Sequence, residues 1–73
     1  MNNKEKLILA KSVIKVNYLL EQKFDKYIIL EYIDGIITIS SNKYSDELVR
    51  CLIDLRQQFL CIKEIKKRRE LNE

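Results

Sequence analysis

Between Tyr27 and Ser40 the chain reads YIILEYIDGIITIS, a run dense in β-branched and aromatic residues and split by Asp34-Gly35, which holds the only glycine. Asp-Gly between two such runs predicts a two-residue hairpin, because a type I′ turn needs positive φ at both central positions. Counting outward from the turn pairs Ile33 with Ile36, Tyr32 with Ile37, Glu31 with Thr38 and Leu30 with Ile39. One face of this ribbon carries Ile28, Leu30, Tyr32, Ile37 and Ile39 and is the natural core side. The other carries Tyr27, Ile29, Glu31, Ile33, Ile36, Thr38 and Ser40. A ribbon apolar on both sides has two clients: the chain's own core, and a partner.

The flanks read as helices. From Lys4 to Phe24, Leu9, Val13, Val16, Leu20 and Phe24 recur at three- and four-residue spacing, with Ala10 beside them. Lys4, Lys11, Lys15, Tyr18 and Gln22 fall opposite, and Asn2 or Asn3 supplies the N-cap. Ser45 followed by Asp46 and Glu47 marks a second helix start, a hydroxyl cap with two acids at the positive end of the dipole. Leu48, Leu52, Leu55, Phe59 and Ile62 then repeat every four or three residues as a packing seam. Val49, Ile53 and Leu60 form a second apolar line about a third of a turn away. The expected architecture is α+β in the order α-β-β-α. It is a single small domain over residues 1–73, with helices at about 4–24 and 45–69 and a two-stranded antiparallel hairpin at about 26–41.

A chain of 73 residues buries only about 60 to 65 % of its unfolded surface. Scaffolds of this size usually need a staple: disulfides, a metal or a second copy. Cys51 and Cys61 lie ten residues apart in one helical pattern, roughly 15 Å along the axis, which excludes a bridge. With no histidine and only two cysteines, zinc and iron–sulfur sites lack ligands. Two strands alone do not make a stable sheet. Self-association is therefore the expected staple, completing the hairpin as a homodimer.

Catalysis is not expected. Without histidine the usual neutral-pH base is missing. One glycine cannot make a phosphate-cradling loop. No cofactor or metal is implied. No apolar run approaches a membrane span and the N-terminus MNNKEKLILAKS lacks a signal peptide's apolar stretch, so a cytoplasmic protein without a membrane role is expected.

Basicity gathers at the C-terminus. Residues 63–73 carry five cations and three anions, net +2 of the chain's +3. Lys63, Lys66, Lys67, Arg68 and Arg69 spread around a helix as a collar, which suits phosphate contact or solvation better than base reading. Together with Arg56 they are the candidate polyanion contacts. The candidate partner or dimer interface is Tyr27, Ile29, Ile33 and Ile36 on the ribbon, with Val49, Ile53 and Leu60 on the last helix. These features predict a small non-catalytic adaptor or inhibitor that works as a homodimer by binding a protein partner. The competing expectation is a dimeric regulator holding nucleic acid weakly through the basic end.

Overall fold

The computed structural model describes the backbone of residues 1–72 and side chains through residue 61. It contains three helices, α1 (Asn3–Glu21), α2 (Lys26–Lys43) and α3 (Asp46–Asn72), and no strand among the described residues. The α+β expectation is thus corrected to an all-α fold. The segment read as a hairpin is one continuous helix of 18 residues.

Two physical facts favour the helix. A lone ribbon leaves half its backbone donors and acceptors facing outward, whereas a helix closes all but those at its ends internally. The residues of this segment also carry a helical stripe. Ile29, Ile33 and Ser40 are buried, with Ile36 and Ile37 half-buried between them, a spacing of four and seven that places them on one side of a 3.6-residue turn. Asp25 starts the helix, its carboxylate accepting from the Tyr27 N–H at 2.8 Å. Gly35 has no positive φ and sits exposed on the outer side, where an added Cβ would meet nothing within 4 Å. The turn signal of Asp34-Gly35 is local, and the burial of three turns of side chains outweighs it.

The other two helices begin where expected. Asn2 caps α1, its side chain accepting from the Glu5 N–H at 2.8 Å. Ser45 stands before α3, its carbonyl accepting from the Val49 N–H at 3.3 Å. α1 ends in a Schellman arrangement, with Phe24 N–H donating to Leu19 O and Lys23 N–H to Leu20 O. Lys23 occupies the left-handed position at φ 60°.

Val16 and Leu19 of α1, Ile29 and Ile33 of α2, and Phe59 of α3 form the core. Leu48 and Leu52 are also fully buried and Leu55 half-buried, so the α3 seam packs as read, while the side chain of Ile62 lies outside the described residues. The buried stripe of α1 is Glu5, Ser12, Val16 and Leu19. It is rotated by roughly 60° at 100° per residue from the expected line, leaving Leu9, Val13 and Leu20 at its edge and Phe24 exposed. Apolar counting missed it because two of its four members are polar and bonded. Ser12 Oγ donates to Ile8 O at 2.8 Å. Glu5 accepts from both the Ser45 hydroxyl and the Ser45 N–H, the latter at 3.2 Å, joining the start of α1 to the start of α3.

The Ser45 hydroxyl bond holds the Glu5 carboxyl below its ordinary value of 4.5, against the opposing effect of burial. The charged form is the one the fold binds. Its contribution is therefore complete above pH 4.5 and is lost as pH falls through the lower folded value. Urea titrations are expected to show wild type above Glu5→Gln at neutral pH, with the gap closing below pH 4.5; a gap constant with pH would refute the assignment. Gly35→Ala is expected to stabilise the protein by about 0.5–1 kcal/mol, read as a higher urea midpoint at unchanged slope. A type I′ hairpin at that position would be destabilised, so the sign separates the two folds.

Candidate functional site: the apolar face of α1 and α2

A cleft of about 300 Å³ runs between α1 and α2. Ser12 and Ser40 lie at its base, both buried. Small side chains there keep the helices close without filling the space above them, and the Ser12 hydroxyl is already bonded within its own helix. Ile8 borders the cleft from α1, and Tyr32, Ile36 and Ile39 border it from α2 at helical spacing. Lys11 and Tyr44 complete its rim.

Further apolar side chains are exposed outside the cleft. Leu7, Ile14 and Tyr18 are exposed on α1 and lie four before, three after and seven after Lys11, which makes them its neighbours on the helix surface. Ile28, one turn before Tyr32, extends the α2 side. Ile14 is 67 % exposed and Ile39 55 %. Of these exposed side chains Ile39 borders the cleft, while Leu7, Ile14, Tyr18 and Ile28 lie outside it on the surfaces of the same two helices. A second cleft of about 250 Å³ between α1 and α3 is bordered by Leu9, Val13 and Leu55 together with Cys51, Asp54 and Gln58; its mixed rim gives no comparable apolar surface.

The residues assigned from sequence are dispersed by the fold. Ile29 and Ile33, expected to meet a partner, are 0 % and 1 % exposed in the chain's own core. Ile36 borders the cleft. Tyr27 is 74 % exposed, and Ile53 is exposed on α3; neither belongs to the cleft. Val49 is half-buried, and Leu60 packs against the core. Arg56 Nε donates to Asp34 Oδ1 at 2.8 Å, an ion pair between α3 and α2. The side chains of Lys63, Lys66, Lys67, Arg68 and Arg69 lie outside the described residues. Leu7, Ile8, Ile14 and Tyr18 were not assigned to any interface from sequence, although the first three are apolar residues off the assigned α1 line, and that surplus was the available signal.

The face is suited to binding by shape. Its hydroxyls and one lysine include no paired acid and base. Cys51 and Cys61 are free, and no group of three metal-ligating side chains comes together among the described residues. No described helix is long and apolar enough to cross a membrane. No family model, curated protein or solved structure matches the chain.

Exposure separates the isoleucines by consequence. Ile39→Glu is expected to leave the urea midpoint within an equivalent of about 0.5 kcal/mol, as for an ordinary surface change. Ile29→Glu places an unpaired charge in the core and is expected to abolish cooperative unfolding. Equal effects of the two substitutions, followed by circular dichroism, would contradict the placement of both residues.

Proposed function

We propose that this protein is a non-catalytic adaptor or inhibitor that acts by binding another protein through the α1/α2 face. The observation carrying this is a concave apolar cleft bordered by Ile8, Tyr32, Ile36 and the exposed Ile39, on two helices that also leave Leu7, Ile14, Tyr18 and Ile28 exposed, in a chain too small to spare apolar residues. Full burial of such a side chain is worth about 1.5–3 kcal/mol. Because these are already partly buried, each that a partner covers has about 1 kcal/mol left to give. Association costs about 4–15 kcal/mol in lost motion, so apolar contact alone supports weak binding and polar contacts must add to it.

A second copy is the competing occupant of this face. The case for it rested partly on Ile29 and Ile33 meeting a partner, and both are covered within the chain. The protein-binding role is tested by affinity capture from a lysate of the source organism with wild type and with Ile39→Glu, each with and without nuclease. A captured protein that survives nuclease and is lost with Ile39→Glu is expected. Capture abolished by nuclease would replace the proposal with nucleic-acid binding. Sedimentation showing a wild-type dimer that Ile39→Glu converts to monomer would assign the face to a second copy.

A further inference from the structure

Lys4, Lys11 and Lys15 follow one another along α1 at spacings of seven and four, forming a single row beside the cleft roughly 16 Å long at 1.5 Å per residue. All three are exposed. Two of them lie over rings of this face: Lys4 Nζ is 5.8 Å from the centroid of Tyr44 and Lys15 Nζ 5.4 Å from that of Tyr18. Lys43, one turn after Ile39, adds a cation from α2. The only acid within the first four turns of α1 is Glu5, which is buried against Ser45. Glu21 and Glu31 stand toward the opposite end of the face, near the α1–α2 connection.

We infer that the α1/α2 face receives an amphipathic helix of a partner protein, whose apolar stripe fills the cleft and whose acidic residues lie along the Lys4, Lys11 and Lys15 row. This rests on the protein-binding role proposed above. The cleft is bordered from α2 by Tyr32, Ile36 and Ile39, whose helical spacing forms ridges and grooves that accept side chains of the same spacing from a third helix. The row of cations beside an apolar trough sets the charge of the occupant, since complementary rim charge selects partners and speeds encounter. A second copy laid on this face with its helices parallel would bring its own lysine row toward this one. A bilayer surface would leave the concavity above Ser12 and Ser40 unfilled.

The test is selection from a displayed library of helical peptides of about 18 residues, roughly five turns, with Leu or Ile along one stripe and random flanks, on the immobilised full chain. The enriched peptides are expected to carry Asp or Glu beside the stripe. Their affinity should fall at least about tenfold with the Lys11→Glu, Lys15→Glu double variant and vanish with Ile39→Glu. Peptides whose acids are exchanged for lysine should bind that double variant better than wild type, which a general loss of folding cannot produce. Enriched peptides that are neutral or basic yet lost with Ile39→Glu would overturn the acidic partner and leave the binding role standing. Absence of any peptide sensitive to Ile39→Glu would overturn both. Flotation with phosphatidylserine vesicles that Ile39→Glu abolishes would overturn the helix in favour of a lipid surface.

Discussion

Each peptide group between Lys26 and Lys43 must find a hydrogen-bond partner, and in a chain this short the segment has to find nearly all of them within itself. A two-stranded ribbon cannot, because its outer edges need another strand or water. The helix can, and this choice determines where six isoleucines go. Ile29 and Ile33 enter the core, Ile36 and Ile37 reach its margins, and Ile28 and Ile39 are left outside. A sheet would have divided them between two faces; the helix distributes them around a cylinder with one buried side. The exposed apolar face follows from satisfying the backbone in a sequence that has more isoleucine than one helix stripe can bury.

The core that results is narrow. Among the described residues seven apolar side chains are buried, and Glu5, Ser12 and Ser40 share the interior with them. The serines let α1 and α2 approach closely, and their small volume also leaves the cleft open above them. A larger apolar residue at either position would add contacts and fill that space, so the close approach of the helices and the open cleft draw on the same two positions. Glu5 is tolerated inside because Ser45 satisfies its carboxylate from both the hydroxyl and the backbone. The Ser45 hydroxyl thereby serves the tertiary contact between α1 and α3 as well as the start of α3.

Legibility in the sequence tracked how consistent the local signals were. The cap at Asn2 or Asn3, the start at Ser45 and the seam through Leu48, Leu52, Leu55 and Phe59 each agreed with a helix and with nothing else, and each is found, the cap at Asn2. The central segment had two. Between Tyr27 and Ile39 most positions are apolar, so an alternating pattern and a 3.6-residue pattern can both be drawn through them, and Asp34-Gly35 tipped the balance toward a turn. Asp25 as a cap, and Ser40 falling in step with Ile29 and Ile33, were the discriminating residues. The candidate face was legible only at Ile36, because Ile29 and Ile33 change from partner surface to core when the period changes from two to 3.6.

The charge of the α1/α2 face lies on the lysines of α1, beside the interior contact that joins α1 to α3. α1 contains four lysines and two glutamates. Glu5 stays ionised in its contact with Ser45 and, one residue from Lys4, offsets part of the positive field at that end of the helix. Its engagement with Ser45 removes it from the outer surface and spends its acceptor capacity on the start of α3. Beyond Glu5, α1 carries no acid until Glu21, at the far end of the helix. A bond that serves the fold thus also occupies the one acid next to the row, and among the described residues none of Lys4, Lys11 and Lys15 is held in an ion pair.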